Sequence, residues 1–356
     1  MFLKPKLEVI SGDDFEMIHQ ATLRLLEDIG IVFHHDEVLK IFKDHGATVD
    51  GNLVRLPQKL VEERAKMAPP KFRWQARNNQ RTVVMGEGPV LQPAAGPVYV
   101  HDLDRGRRPG TLQDYTNLQK IYQAEDVFDL VGMISCEPSD VSQDRKHLDL
   151  MLEILRHTDK PVNGFMTTGK QARAQLDMME IAMGRKNALE QHHCIAVSIG
   201  ATSPLTYTWD PLETLLQYVR RNQMAHLLNE AAGILDNILT VSYEKTIIDG
   251  ELISRVKRIM QGIDGADREV NIDVIRETGH GGHYLLHEST LNHCRDRWRA
   301  SLSYCGNYND WEKEGARDIM QRASKTYNEI LEAAPDSLID PALEEELEAY
   351  IKSELR

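Results

Sequence analysis

The first part of the chain places apolar residues at helical spacing. Apolar side chains recur every three or four positions from Phe15 to Ile29. Gly30 then ends this predicted helix, because glycine tolerates left-handed backbone. Two further helices are predicted at 36–45 and 58–67, and two short strands near Val54 and Val83. The pattern therefore predicts an α-rich N-terminal cap over residues 1–90.

From residue 111 onward, buried strands alternate with amphipathic helices. A helix with an N-cap is predicted over 111–125. Three apolar strand candidates follow, at 130–135, 162–167 and 194–200, and each leads through a polar loop into a helix, at 142–157, 170–183 and 211–222. This repetition predicts a parallel sheet with helical crossovers. In a barrel the loops after the strands form the active face, which here means 135–138, 167–169 and 201–204.

The repeat stops between Gln223 and Met224. The helix over 211–222 runs into Met224 without a predicted strand or turn residue, and everything from there to Leu355 is predicted to be helix and loop. A closed (β/α)₈ barrel needs eight strands, and the sequence offers about four. The pattern alone therefore predicts an incomplete barrel.

Composition and charge limit the classes of molecule that the chain is expected to bind. The 356 residues are 41% hydrophobic and 27% charged, with a net charge of −13, which disfavours nucleic acid and anionic membranes. No apolar run approaches the ~20 residues of a membrane span, and the N-terminus has no signal-peptide core. The four cysteines lack CxxC spacing. These features predict a cytoplasmic protein with reduced thiols that binds a small molecule or another protein.

Residues 277–289 contain the highest density of candidate functional side chains. Three histidines, three glycines and two glutamates fall within these thirteen positions. Glycine lets backbone approach a ligand closely, and histidine titrates near neutral pH. His280, His283 and His287 share one face if the segment is helical. They are interpreted as ligand-facing residues, as packing residues, or as zinc ligands, although the His-Glu-x-x-His pattern is missing.

Five blocks of this sequence resemble one known family. They occur in the family's order over nearly the whole chain, at 96–104 with 111–114, 160–162, 203–205, 231–237 and 277–291. The family is the trimethylamine methyltransferase superfamily, whose members are corrinoid-dependent. The resemblance implies an α/β fold of the (β/α)₈ TIM-barrel type, incomplete here, with N- and C-terminal helical extensions.

The expected domains are the cap over 1–90, a barrel region over 91–300 with a deletion at 223/224, and a helical extension over 301–356. No pyrrolysine appears in the sequence. Members without it resemble enzymes for quaternary amines, so the resemblance favours the glycine betaine type over the trimethylamine type.

The implied reaction moves a methyl group from a quaternary amine, glycine betaine first, to Co(I) of a corrinoid held by a separate carrier protein. The cofactor supplies the nucleophile, while the protein supplies orientation and electrostatics. A betaine site needs aromatic faces for the cation and donors for the carboxylate. The expected partners are the corrinoid protein, a small methylated amine and further copies of the chain, with no metal held by the chain itself.

Three alternatives stay open. The first is a trimethylamine enzyme whose special residue lay in the missing stretch. The second is a non-catalytic scaffold or partner subunit that keeps the family surface. The third is a zinc hydrolase built on the histidines of 277–289.

The candidate site residues follow from these blocks and from their aromatic and imidazole side chains. No catalytic residue is assigned. The expected substrate-binding residues are Tyr99, His101, Tyr207, Trp209, His280, His283 and Tyr284. The expected corrinoid-facing residues are Gly279, Gly281, Gly282 and His287.

Each candidate also has a purely structural interpretation. Tyr99 and His101 then lie in a hairpin with a solvated turn, Trp209 is a core residue, and the hydroxyls of 167–169 and 202–204 are helix caps. Glu230 and Asn237 line a pocket or face water. Residues 344–348 form a solvated helix face.

Overall fold

The computed structural model of the chain describes residues 2–3, 10–165, 167–202, 204–226, 232–264, 272–296 and 298–356. Within these ranges the strands form five separate sheets of two or four strands, and none of them closes into a barrel. The predicted mixed α/β class is confirmed. A TIM barrel is not formed by the described strands.

The N-terminal part contains the three predicted helices and also several strands. Its elements are β1 (Phe2–Leu3), α1 (Gly12–Arg24), β2 (Ile31–Phe33), α2 (Asp36–Asp44), β3 (Thr48–Asp50), β4 (Leu53–Arg55), α3 (Gln58–Ala65), β5 (Phe72–Trp74) and β6 (Val83–Met85). Ser11 begins α1 through a capping box with Asp14. A π-helical turn over Leu25–Ile29 follows, and Gly30 ends it at φ +79°.

The middle of the chain is built from strands that alternate with helices. Its elements are β7 (Tyr99–Asp102), β8 (Gly106–Pro109), α4 (Leu112–Ala124), β9 (Val131–Gly132), α5 (Lys146–His157), β10 (Val162–Asn163), α6 (Gly169–Ala182), α7 (Ala188–Gln191), β11 (Ile195–Ser198), β12 (Thr206–Tyr207), α8 (Trp209–Arg220) and β13 (Met224–His226). Strands β9, β10, β11 and β13 form one parallel sheet in the order β13-β11-β10-β9. Val131, Val162 and Ile195 are buried in this sheet, as parallel strands require.

The expectation that no strand follows Gln223 was wrong. Ala196 of β11 pairs in parallel with Met224 of β13, and Asn222 makes the turn between α8 and β13 at φ +57°. Three residues are too few to show a period of two along the sequence. Pairing with β11 therefore decides this strand.

The C-terminal part contributes three further strands and six helices to the described residues. These elements are β14 (Ile234–Leu235), β15 (Thr240–Ser242), α9 (Tyr243–Gln261), β16 (Ile263–Asp264), α10 (Ile272–Thr278), α11 (Glu288–His293), α12 (Tyr308–Lys313), α13 (Ile319–Ala333) and α14 (Pro341–Glu354). Strand β15 pairs in parallel with β7, while β14 and β8 are the antiparallel edges of that sheet. The expectation of helix and loop throughout 224–355 was therefore wrong at four short strands.

Two other pairings join distant parts of the chain. Strand β12 pairs in parallel with β2, so the N-terminal sheet has the order β12-β2-β4-β3. Strand β16 pairs with β1. No helix in the described part of the chain has the length and apolar character that crossing a bilayer requires.

The main core lies between the parallel sheet and its helices. It unites residues from α4, α5, α6, α9, α13 and α14, among them Leu118, Met151, Leu176, Ile247, Tyr327 and Leu347. Helix α14 is also held by ion pairs from Arg156 to Glu344 and, at 2.8 Å, to Glu348. The predicted solvated face over 344–348 is exposed at Glu345 and Glu346, whereas Glu344 and Glu348 are partly buried.

Candidate functional site

A cavity of about 350 Å³ opens at the carboxyl ends of β9 and β10. Three helices, α5, α6 and α8, begin at its walls. Its lining residues are Ile134, Glu137, Gln143, Lys146, His147, Leu150, Phe165, Thr167, Thr168, Gln171, Asp210 and Pro211. Ligands of open α/β sheets bind outside the carboxyl ends of the strands, so this cavity is the candidate functional site.

The helix starts at this cavity are fixed by local chemistry. Thr168 caps α6 in a capping box with Gln171. Gly169 opens α6 against α8, and a Cβ at Gly169 would lie 2.1 Å from Cγ of Glu213. Asp210 occupies the first turn of α8. These helix N-termini carry partial positive charge toward the cavity.

Two charged groups and one imidazole line the cavity on the α5 side. Lys146 is buried, with 7% of its surface exposed, and forms an ion pair with Glu137. Burial lowers the pKa of His147 below its ordinary value, because it disfavours the charged imidazolium. Nδ1 of His147 has no hydrogen-bond partner among the described residues. The cavity therefore combines opposite charges with the apolar wall of Leu150 and Phe165.

Tyr99 and His101 lie in the β7–β8 hairpin, outside this cavity's lining. The guanidinium carbon of Arg107 is 3.7 Å from the centre of the Tyr99 ring, so this ring already has a cation within the chain. Arg107 also donates to Asp236 at 3.0 Å. Nδ1 of His101 is buried without a partner in the described part of the chain. The predicted hairpin is confirmed, but its basic turn is held by ion pairs and is not simply solvated.

Tyr207 lies in β12, the edge strand of the N-terminal sheet, and Trp209 follows it at the start of α8. The Tyr207 ring stacks on Phe33 at 5.3 Å, and the Trp209 ring stacks on His35 at 4.0 Å. Trp209 is 52% exposed, which excludes the interpretation as a core residue. It directly precedes Asp210, a lining residue of the cavity.

The histidine and glycine segment lies at the surface. Residues 279–283 form a loop with a turn at 280–281, Tyr284–Leu286 form a 3₁₀ turn, and 288–293 form the helix α11. The three histidines therefore do not share one helix. His280, His283 and Tyr284 are exposed. Nε2 of His287 lies 3.0 Å from a Glu277 oxygen, and its Nδ1 accepts a hydrogen bond from the Ser289 N–H.

The zinc alternative finds no coordination site in the described ranges. There, no group of three or more His, Cys, Asp or Glu side chains is placed to hold a metal ion. The proposed pocket residue Glu230 lies outside the described residues, whereas Asn237 is exposed in the turn before β15.

Comparison with known proteins decides the family. The family model described as "Trimethylamine methyltransferase (MTTB)" matches residues 3–229 and 225–355. The chain belongs to this family. The predicted membership is confirmed, and the two matched segments overlap at residues 225–229, directly after the junction where the sequence pattern changes.

Three relatives show how much of each chain the sequence similarity covers. A glycine betaine methyltransferase from Desulfitobacterium hafniense (strain Y51) is 24% identical over 467 aligned residues, covering 98% of this chain and 97% of that protein. A trimethylamine methyltransferase MttB from D. hafniense (strain DSM 10664 / DCB-2) is 20% identical, covering 90% and 89%. A proline betaine:corrinoid methyltransferase from Eubacterium limosum is 24% identical, covering 69% and 53%.

The first of these alignments is longer than the chain. Its 467 positions exceed the 356 residues of this family member, so it includes positions for which this chain has no residue. The structure nevertheless runs through Gln223 and Met224 as a tight turn into β13. The junction predicted from the sequence is therefore continuous in the fold.

Lys146 and His147 of the cavity were not predicted as site residues. The loops that carry Glu137 and the two threonines of 167–168 were predicted, because they follow strands. Lys146 and His147 begin a helix without any motif. The available signal was position, since a lysine and a histidine at the start of a crossover helix lie near the carboxyl ends of the strands.

Proposed function

We propose that this chain is a corrinoid-dependent methyltransferase that takes its methyl group from a quaternary amine, with glycine betaine as the preferred substrate. The observation that carries this proposal is the alignment with a glycine betaine methyltransferase over almost the full length of both chains. Relatives named for proline betaine and L-carnitine support the broader class of quaternary amines.

The cavity at the carboxyl ends of β9 and β10 is the proposed substrate site. Glycine betaine carries a carboxylate and a trimethylammonium group, and the cavity offers partners for both. The Lys146 ammonium is the proposed partner of the carboxylate. Phe165 and Asp210 are the proposed partners of the cation, through a ring face and a negative charge. The volume of about 350 Å³ lies at the lower end of the range for small-molecule sites.

Methyl transfer from a quaternary amine requires little proton transfer by the protein. A partner protein's corrinoid, when bound, supplies the Co(I) nucleophile for the methyl group. The C–N bond electrons stay with nitrogen, which leaves as a neutral tertiary amine, so no general acid is required. The role of the chain is to bind the substrate, orient one methyl group toward solvent and keep the ammonium group in place.

The surface around 279–282 stays the proposed corrinoid-facing region. Its residues are exposed, and a Cβ at Gly279 or Gly281 would meet no atom within 4 Å, so a large flat ring has room to approach the backbone there. Both ring nitrogens of His287 are engaged within the chain. His287 therefore fits a supporting role better than direct contact with the cofactor.

The remaining predicted residues stay secondary proposals. Trp209 is exposed beside Asp210 and is the proposed aromatic at the rim of the cavity. Tyr99, His101 and Tyr207 would need a rearrangement to reach a substrate in this cavity. The expected homo-oligomer also stays a prediction.

Methyl transfer to a reduced corrinoid protein tests the proposal. The visible spectrum changes when Co(I) becomes methylated, and we expect this change with glycine betaine but not with trimethylamine. Choline, which lacks the carboxylate, is expected to react at least about tenfold more slowly. Substitution Lys146→Met is expected to cause a similar loss with glycine betaine, while the exposed lysine variant Lys170→Met is unaffected.

Two results would contradict the proposal. Methyl transfer from trimethylamine alone would favour the trimethylamine alternative. Binding of the corrinoid protein without any transfer from a quaternary amine would favour the scaffold alternative, for which the missing aligned positions are the supporting observation.

A further inference from the structure

A second cavity, of about 490 Å³, lies at the opposite end of α5. It is an open cavity bounded by the C-terminal parts of α4 and α5, by α13 and by the loop after α13. Its apolar wall is formed by Ala124, Ile330, Ala333, Ala334, Pro335 and Leu338. This wall covers most of the cavity and is suited to a hydrocarbon body.

The second cavity is separate from the proposed substrate site. His147 begins α5 at the first cavity, and His157 ends α5 at the second. These two residues are about 15 Å apart along the helix axis. The second cavity lies at helix C-termini, whereas the first lies at helix N-termini.

Among the described residues, one lysine at the second cavity has no ion-pair partner. Arg81 is 3.2 Å from Asp126 and 3.4 Å from Asp159. Glu329 is 3.4 Å from Lys325. Lys120, which also lines the cavity, has no ion pair among the described residues. A half-buried ammonium beside an apolar wall is a favourable place for an organic anion.

His157 supplies an independent observation that points to a ligand. Its side chain lines the cavity and is only 7% exposed. Nε2 lies 3.2 Å from Glu153, but Nδ1 is buried with no hydrogen-bond partner in the described part of the chain. Buried polar atoms are normally satisfied, so an orphaned one at a cavity indicates a missing partner. With Glu153 on Nε2, Nδ1 is the ring nitrogen left to hydrogen-bond a ligand.

We propose that this cavity is a second binding site, which takes a small carboxylic acid with an aliphatic body. The carboxylate faces Lys120 and His157, and the hydrocarbon lies along Ile330 and Leu338. Nothing in this assignment depends on methyl transfer. The site is distinct in place and in ligand chemistry from the quaternary-amine site.

Isothermal titration of the full chain with octanoate tests this proposal. We expect one octanoate per chain, with octanamide, its neutral counterpart, binding at least about tenfold more weakly. The variant Lys120→Met keeps the aliphatic stem and removes the charge, so it should weaken octanoate binding by about tenfold or more. Lys66→Met, an exposed lysine outside the cavity, is the matched control and should bind as the original chain does.

The competing outcomes are separable. Equal binding of octanoate and octanamide, or unchanged binding by Lys120→Met, would overturn the proposal. So would the absence of octanoate binding by the folded chain, with folding verified by circular dichroism. Displacement of octanoate by excess glycine betaine would assign it to the first cavity and equally overturn the proposal, whatever the result of the methyl-transfer assay.

Discussion

Asp102 and Asp114 are buried carboxylates that Arg108 bridges beneath the β7–β8 hairpin. Arg108 is 2.8 Å from Asp102 and forms a second ion pair with Asp114, which also accepts a hydrogen bond from Tyr243 at 2.7 Å. Burial opposes the charge on Asp102, but the Arg105 N–H and the guanidinium groups of Arg108 and Arg105 outweigh it. The pKa of Asp102 is therefore lowered.

This lowered pKa predicts a loss of stability in acid. The stabilising contribution of a carboxylate with a depressed pKa is complete above about pH 4 and disappears as the pH falls through the folded-state pKa. The variant Asp102→Asn should lose about 1–3 kcal/mol of unfolding free energy at pH 7 and show a smaller further loss on acidification. Urea unfolding at several pH values measures both effects. Asp104→Asn, at an exposed neighbour, should match the original chain, and equal acid profiles for all three proteins would contradict the assignment.

Gly132 ends β9 in a conformation that other residues avoid. Its φ is +100°, and a Cβ there would lie 2.3 Å from the backbone oxygen of Asn163 in β10. The neighbouring strand cannot give way without breaking the parallel pairing of β9 with β10. Glycine is thus required where the first strand opens toward the candidate site.

Substitution Gly132→Ala should therefore cost about 2 kcal/mol or more of unfolding free energy. Gly88→Ala is the matched control, because a Cβ at Gly88 would meet no atom within 4 Å. Denaturant midpoints of the two variants measure the difference. Equal midpoints would show that the strand end relaxes without strain.

At the scale of elements, Gln223 fixes the turn from α8 into β13. Its Oε1 accepts hydrogen bonds from the N–H groups of Cys194 and Ile195, at 2.8 and 3.1 Å. Its Nε2 donates to the Leu189 carbonyl at 2.6 Å. One buried side chain therefore ties the start of β11 to the entrance of β13, at the place where the family match divides.

Substitution Gln223→Ala should leave these backbone groups unsatisfied. We expect a loss of about 1–3 kcal/mol in unfolding free energy, because buried donors and acceptors without partners carry a penalty of that size. Gln191→Ala, at an exposed position on α7, should stay within about 0.5 kcal/mol of the original chain. If both variants unfold at the same urea concentration, the turn does not depend on this side chain.

At the scale of the whole molecule, the chain combines a dense core with an exposed apolar segment. Most apolar residues of β11 and of α4 to α6 are almost fully buried. By contrast, Leu285 and Leu286 are 74% and 79% exposed, beside the histidines and glycines of the proposed corrinoid-facing region. Exposed backbone opens at low free energy, whereas core strands open only with global unfolding.

Amide hydrogen exchange should therefore separate these regions. We expect the amides of β10 and β11 to be the slowest to exchange and those of 279–286 to be among the fastest, as measured by mass spectrometry of peptides. Addition of a corrinoid protein should slow exchange in 279–286 if this surface receives the cofactor. Protection of 279–286 comparable to that of β11 in the free chain would contradict its exposed placement.

Part of the candidate site could be predicted from the sequence because of a geometric rule. Polar loops that follow consecutive parallel strands meet at one edge of the sheet, and Glu137 and Thr168 do meet at the first cavity. Lys146 and His147 were missed because no spacing distinguishes a buried lysine at a helix start from a solvated one. Their role depends on burial, which local sequence does not encode.

Local patterns determined the helices, the parallel β-loop-α repeat and the family. Capping residues such as Thr111 and Thr168, together with apolar spacing, act within a few residues and are therefore visible in the sequence. Only the tertiary structure decided the short strands β13 and β15, the ion pairs of the hairpin and the surface position of 279–287. Each of these depends on a partner distant in the chain, and the free energy of such contacts exists only after the chain has folded.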